Sequence, residues 1–429
     1  MRFEPDPQRS EETVTADDLQ SRYHQVRQQS IALCEPLAVE DFGVQPMDDA
    51  SPPKWHLAHT AWFFETFILK QQLPGYQAFH PQFEYLFYSY YNGVGQPYPR
   101  PARGFLSRPT VAQVMEYRDH VDQHMNLLLE RGVDDDTSAQ VVLGLHHEQQ
   151  HQELMLTDIK YNFGHNPLLP SYRERSPVES APLSGSPSAS SYTEYEGGIV
   201  EIGAGNGFAF DNETPRHPVL LQAFQLADRL VTNGEYLSFV EDRGYARPEL
   251  WLSEGWSAVQ GQGWQAPLYW QQRDGVWHEY RLDGCHELVL HMPVTHVSGH
   301  EAFAFAQWAG ARLPTEFEWE HAASSAAVDG HFVEAQYFHP QAAAEQDGVQ
   351  QLYGDVWQWT ASSYAPYPGY HPLPGALGEY NGKFMSSQLV LRGASCATPR
   401  SHARLSYRNF FYPPDRWQFT GIRLAKNVE

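Results

Sequence analysis

A Ser-, Pro- and Ala-rich stretch at residues 167–191, ending in Ser184-Gly185-Ser186-Pro187-Ser188-Ala189-Ser190, divides the chain into two halves of different character. Such a run has neither helical nor strand periodicity and reads as an extended connector. The 429 residues are therefore expected to fold as a helical unit at 1–165, a connector at 166–193 and a second unit at 194–429, each unit long enough to fill its own core.

Before the connector, apolar residues recur three and four apart at 19–33, 57–69, 111–129 and 141–161. That spacing puts them on one helix face, so four helices are expected, burying their apolar faces together as a bundle. The segment 85–109 between the second and third is too long for a turn and rich in Tyr, Gly, Pro and Arg; long loops of this kind usually carry function. After the connector the apolar segments shorten and become rich in Gly, Trp and Tyr. Helices are expected there at 298–309 and 315–323, with turns at Gly310, Gly354, Gly393 and Gly421 in a domain of mixed, largely irregular structure.

Composition removes several classes of function. A net charge of -23 repels nucleic-acid phosphates and anionic lipid, so neither is expected as a partner. No stretch approaches the ~20 apolar residues of a membrane span, and the first twelve residues are polar and acidic rather than basic then apolar, so a cytoplasmic protein is expected. Cys34, Cys285 and Cys396 are far apart and form no CxxC, which suits a reducing compartment and excludes a disulfide framework or zinc knuckle.

The chemistry is concentrated in His147-Glu148-Gln149-Gln150-His151. Side chains at i and i+4 stack on one helix face, so the two imidazoles reach a common metal ion. His59, in Trp55-His56-Leu57-Ala58-His59-Thr60 on the second helix, offers a third. Three such ligands leave coordination positions open for reactants. Among 21 histidines an i, i+4 pair also arises by chance, and with Glu148 next to His147 the pattern equally fits a zinc hydrolase using that carboxylate as base.

The second half carries Gly198-Ile199-Val200-Glu201-Ile202-Gly203, Asp211-Asn212-Glu213-Thr214-Pro215-Arg216-His217, Val231-Thr232-Asn233-Gly234-Glu235-Tyr236, Arg312-Leu313-Pro314-Thr315-Glu316-Phe317-Glu318-Trp319-Glu320, Gly354-Asp355-Val356-Trp357-Gln358-Trp359 and Leu391-Arg392-Gly393-Ala394-Ser395, in that order. This succession resembles the formylglycine-generating-enzyme-like domain, a C-type-lectin-related α+β fold. A formylglycine-generating enzyme itself uses a cysteine pair near its C-terminal end, where this chain offers only Cys396. The helical half resembles the DinB-like bundle. The two together resemble the ergothioneine sulfoxide synthases, which implies an α+β protein: a DinB-like four-helix bundle followed by the lectin-related domain, with the active site between them.

The resemblance implies Fe(II) held by His59, His147 and His151, and an oxygen-dependent coupling of a thiol to C2 of the hercynine imidazole, giving a sulfoxide. Three neutral imidazoles suit an ion whose negative charge comes from a substrate thiolate. Tyr90 or Tyr91, in Tyr88-Ser89-Tyr90-Tyr91-Asn92-Gly93, matches a tyrosine pair that would donate a proton, steering turnover toward carbon–sulfur bond formation rather than thiol oxidation. Arg100 and Arg103 sit where the family places guanidinium groups for the sulfur substrate's carboxylate, a task for which planar Arg is better suited than Lys. Gln150 is implied to hold the substrate imidazole, Asn409 the hercynine carboxylate, and Phe410 or a neighbour its trimethylammonium group. Phe411 replaces the acidic residue of the branch that uses a γ-glutamyl dipeptide, which implies free cysteine as the donor.

The expected partners are small molecules: hercynine, O2, and cysteine or a selenosugar. A selenoneine synthase shares the architecture and is an alternative at this point, as are a zinc hydrolase or thiol transferase on the bundle and a noncatalytic lectin-like binding module. Oligomeric state is open.

Overall fold

The structure, a computed structural model, describes residues 16–89, 97–174, 190–344, 348–372 and 381–428. The helical half opens with α1 (Ala16–Ala32) and α2 (Pro53–Phe64); α2 continues through a π-helical turn, Glu65–Leu69, into α3 (Lys70–Gln72). A short α4 (Phe83–Phe87) precedes the long helices α5 (Val111–Glu130) and α6 (Asp135–His165). Caps set the starts. Pro53 occupies the first turn of α2, where its missing N–H costs nothing; Thr110 and Gln113 form a capping box at α5; and Asp134 accepts from Thr137 N at α6.

Helix α2 has no exposed residue. It packs against α5 and α6, and Trp55, Leu57, Ala58, Ala61, Trp62, Phe63 and Phe64 make most of its surface apolar, while the buried Lys54 donates to Leu106 O at 2.7 Å. The π turn is not foreshadowed by the 57–69 periodicity. It accompanies a buried charge: Glu65 accepts from Tyr76 OH at 2.7 Å and Tyr117 OH at 2.8 Å, so its carboxylate is hydrogen-bonded where water does not reach.

The second half is built from short strands. A three-stranded sheet has the order β1 (Tyr192–Tyr195), β4 (Phe224–Ala227), β14 (Ala425–Asn427), all antiparallel, so the end of the chain returns to the beginning of this half. A hairpin pairs β2 (Gly198–Ile202) with β3 (His217–Leu221), and a meander joins β5 (Trp270–Arg273), β6 (Val276–Arg281) and β7 (Gly284–Glu287). A short parallel pair joins β8 (Gly330–His331) to β9 (Tyr353–Gly354). A four-stranded sheet runs β12 (Asn409–Phe411), β11 (Leu389–Arg392), β10 (Trp357–Ser363), β13 (Thr420–Gly421), with β13 parallel to β10.

Two further helices of this half escape the sequence pattern. In α7 (Asn233–Glu241), Thr232 and Glu235 form a capping box, but the helix is nine residues long and contains Gly234. In α8 (Ser253–Gln262) there is no capping side chain, and two of its ten residues are glycine, a weak helix former. Tertiary burial of Tyr236, Phe239 and Val259 holds both. Helices α9 (Gly299–Trp308) and α10 (Glu316–Ala323) fall where expected, capped by Ser298 and Thr315.

The two halves share a core. Tyr280, Leu282, Phe338 and Phe419 belong to the same buried cluster as the bundle's Trp62, Phe64 and Leu156. Tyr172, just past α6, binds across it: its N–H donates to Leu282 O at 2.8 Å and its hydroxyl to Leu33 O at 2.6 Å. Among the described residues, no helix is long and apolar enough to cross a membrane.

Candidate metal centre

His59 on α2 and His147 and His151 on α6 each turn one ligand atom to a common point, all within 4.8 Å of one another. The ring centroids of His59 and His147 stand 5.0 Å apart, those of His59 and His151 4.7 Å, and those of His147 and His151 4.6 Å. A close helix contact makes this possible. Gly144, three residues before His147 on α6, lies against α2 so tightly that a Cβ there would sit 2.7 and 2.8 Å from ring carbons of Phe64 and Phe63.

Burial and stacking hold the rings. His59 lies between Trp55 (4.5 Å, 13°) and Trp62 (5.3 Å, 11°), and Phe63 covers His147 at 4.7 Å. Burial keeps all three rings neutral: it pushes His147 down to about 3 and His59 and His151 well below the ordinary imidazole value, with neighbouring imidazoles adding to the effect. Neutral imidazole is the form that binds a metal.

Tautomers are set from outside the cluster. Phe87 O lies 2.6 Å from His59 Nδ1; a carbonyl only accepts, so Nδ1 carries the proton and Nε2 is the ligand atom. Asp158 Oδ2 lies 3.0 Å from His56 Nε2, and His56 Nδ1 lies 2.8 Å from His151 Nδ1. The carboxylate accepts from Nε2–H of His56, whose Nδ1 accepts from Nδ1–H of His151. That leaves His151 Nε2 for an ion, the arrangement in which outer partners orient metal-binding imidazoles. The donor set therefore fits a divalent transition metal, and among the described residues the cluster contains no carboxylate.

A cavity of about 360 Å³ opens over the cluster, within the range of small-molecule sites. Arg100, Arg103, Gln150, Asn409, Phe410 and Phe411 all line it, so both halves contribute. Arg103 is buried, with Nη1 donating to Ser51 Oγ at 2.8 Å, Nη2 to Ser89 Oγ at 3.2 Å, and its guanidinium 3.4 Å above Trp55. Arg100 is more exposed and faces Asp49 at 3.8 Å. Asn409, Phe410 and Phe411 form the edge strand β12; Phe410 stacks on Tyr364 at 4.1 Å and 10°. Tyr90 and Tyr91 lie outside the described residues.

Glu148 points away from the metal cluster, which corrects the hydrolase alternative. Its Oε2 accepts from Arg27 Nη1 at 2.9 Å, and its Oε1 from Arg118 Nη2 at 2.9 Å and Ser30 Oγ at 2.6 Å. Burial alone raises this carboxyl, but the two guanidinium groups outweigh it and hold it down to about 2. Such a group is a permanent anion with no tendency to take up a proton at neutral pH.

Several cavity residues escape a reading of the sequence. Glu153, half a turn past His151, accepts from Trp357 Nε1 and Thr398 Oγ1, each at 2.7 Å, and from Ser395 Oγ, fastening α6 to the second half. Asp415, near Asp49 and Arg100, is pushed up to about 7 by burial. The short spacing from His151 is a usable signal for Glu153; nothing local marks Asp158 as a partner of His56.

Comparison with known proteins agrees with this architecture. The sulfatase-modifying factor enzyme 1-like domain matches residues 187–347 and 340–428, and the DinB superfamily matches 22–155. The chain is 31% identical over 411 residues to the hercynine oxygenase of Mycolicibacterium smegmatis and 32% over 404 residues to that of Mycobacterium tuberculosis, in each case covering 88% of this chain and 91% of the relative. It is 27% identical to a formylglycine-generating enzyme of Streptomyces coelicolor over 52% of this chain and 85% of that protein. With both halves matched, and with relatives aligned across nearly their whole length, the chain belongs to the hercynine oxygenase family of ergothioneine sulfoxide synthases.

Proposed function

We propose that this protein is an Fe(II)- and O2-dependent sulfoxide synthase that joins the sulfur of cysteine to C2 of the hercynine imidazole. The observation that carries the reading is the convergence of three neutral imidazoles, with Nε2 of His59 and His151 held free of protons, beneath a cavity whose lining includes Arg100, Arg103, Gln150, Asn409 and aromatic rings. The reaction consumes one thiol, one ring C2–H and one O2. A C–S and an S–O bond form, the S–H and C–H bonds are lost, and the four electrons removed reduce O2 to the sulfoxide oxygen and one water.

Fe(II), bound by His59, His147 and His151, would supply the redox chemistry that activates dioxygen. The chain's own groups do the rest. Arg100 and Arg103 bind the cysteine carboxylate, Arg103 being pre-set by Ser51, Ser89 and Trp55. Gln150 holds the hercynine imidazole, Asn409 its carboxylate, and Phe410 its trimethylammonium group, a cation–π contact worth about 0.5–2 kcal/mol. Phe411 puts an apolar ring where an acidic side chain would hold a dipeptide's amino group. Tyr90 or Tyr91 donates the proton that directs turnover to coupling.

The test is anaerobic loading with Fe(II), addition of hercynine, cysteine and air, and mass spectrometry of the products. The mass of the hercynine–cysteine sulfoxide is expected; cystine alone, with hercynine unconsumed, refutes the reading. Offering cysteine together with a 1-seleno-sugar tests the donor, and preference for the selenosugar reassigns it.

A further inference from the structure

Behind Gln150 runs a chain of buried polar side chains that the proposed chemistry leaves unused. Gln150 Nε2 donates to Tyr407 OH at 2.6 Å. Tyr407 OH lies 3.0 Å from His402 Nε2, and His402 Nδ1 lies 2.9 Å from His146 Nδ1. Tyr407, His402 and His146 are 4, 1 and 5% exposed, so water does not compete for these bonds. The phenol ring is fixed by Trp357 at 5.2 Å, Phe210 at 5.8 Å and the Arg404 guanidinium at 4.5 Å, and His146 stacks on Phe208 at 3.9 Å.

The bonds have one consistent direction. A hydroxyl that accepts from Gln150 has its own proton to give, and His402 Nε2 is the acceptor beside it. His402 then carries its proton on Nδ1 and donates to Nδ1 of His146. Burial, with His146 and the Arg404 cation beside it, holds His402 well below the ordinary imidazole value, so the ring stays neutral and carries a single N–H. The row is a poor proton acceptor and a good orienting device.

We propose that Tyr407, backed by His402 and His146, is a positioning residue that locks the Gln150 amide with Nε2 turned to Tyr407 and Oε1 presented to the substrate imidazole. This rests on the reading of Gln150 as the hercynine contact. An amide oxygen only accepts, so the site selects the imidazole tautomer with N–H toward Gln150, whose opposite ring nitrogen is left with its lone pair. Without the lock the amide turns over in a fraction of molecules and offers N–H to N–H.

A double-substitution cycle read by calorimetric titration of hercynine tests the lock, with circular dichroism melts to confirm folding. Tyr407→Phe is expected to weaken hercynine binding about tenfold, the loss of one hydrogen bond. In a Gln150→Glu background both side-chain oxygens accept, no orientation is wrong, and the same substitution is expected to change binding by less than about twofold. If Tyr407→Phe proves unstable, His402→Phe removes the hydroxyl's acceptor and is expected to show the same dependence on Gln150. Equal weakening in both backgrounds makes Tyr407 a structural residue and overturns the proposal, as does no weakening in either. Failure of the wild type to bind hercynine instead overturns the substrate reading, and the lock with it.

Discussion

Replacing Glu148 with Gln separates a structural carboxylate from a catalytic one. In the wild type this buried anion joins Arg27 of α1 and Arg118 of α5 to α6 at 2.9 Å each. Arg27 also meets Asp122 at 2.7 Å, whereas Arg118 meets no other carboxylate among the described residues. The amide therefore leaves a buried guanidinium uncompensated, a change that costs roughly 3–5 kcal/mol. The depressed pKa gives a similar figure. A carboxyl held at about 2 rather than the ordinary 4.5 is worth about 3 kcal/mol at neutral pH. For a 429-residue chain whose halves share a core, that corresponds to a melting temperature lower by roughly 3–6 °C. Because the folded pKa is depressed, the contribution is complete above the ordinary carboxylate value and disappears as pH falls toward 2; the acid limb of stability between those values should flatten in Glu148→Gln. Urea unfolding of metal-free protein, followed by circular dichroism from about pH 7 down to about pH 3, measures both effects. A variant within about 1 kcal/mol of wild type at neutral pH, with an unchanged acid limb, refutes the network and returns Glu148 to the catalytic candidates.

Three further outcomes are expected. Gly144→Ala should destabilise by about 1–3 kcal/mol, since the added methyl collides with Phe63 and Phe64, and should weaken metal binding by spreading α2 from α6; an unchanged or higher melting temperature contradicts this. Arg103→Lys keeps the charge but loses the fork that spans Ser51 and Ser89, so KM for cysteine should rise about tenfold with KM for hercynine little changed; equal changes in both count against a role in binding cysteine. Either Tyr90→Phe or Tyr91→Phe should divert turnover from coupling to thiol oxidation, and an unchanged product ratio in both variants removes the proton-donor role.

The parts of the site that follow local spacing were legible: His147 and His151 share a face because they are four residues apart, and the bundle's helices follow apolar periodicity. What local spacing does not carry is the outer layer. Phe87 fixes the tautomer of His59 across 28 residues, and Asp158 reaches His56 across 102. Glu148 shows the same limit from the other side. Its adjacency to His147 suggests a base, yet Arg27, 121 residues away, and Arg118, 30 residues away, decide its chemistry.

That outer layer explains why the centre uses three imidazoles without a carboxylate. Burial makes the rings neutral, and Phe87 and the Asp158–His56 pair fix which nitrogen of His59 and of His151 would face an ion. A divalent cation bound there keeps its full charge, and in a cavity of low dielectric that charge favours an anionic ligand. The carboxylates on α6 beside the histidines are engaged elsewhere: Glu148 with two arginines, Glu153 with Trp357, Ser395 and Thr398, and Asp158 with His56. Under the proposed function the anion is left to the substrate: a thiol whose carboxylate Arg100 and Arg103 would hold would lose its proton and supply the charge as a thiolate. An alcohol in place of the thiol, as in serine, should bind through the same arginines but lack the acidity to supply the anion. Serine should then compete with cysteine without being consumed, and its conversion to a hercynine adduct would show that the charge argument is wrong.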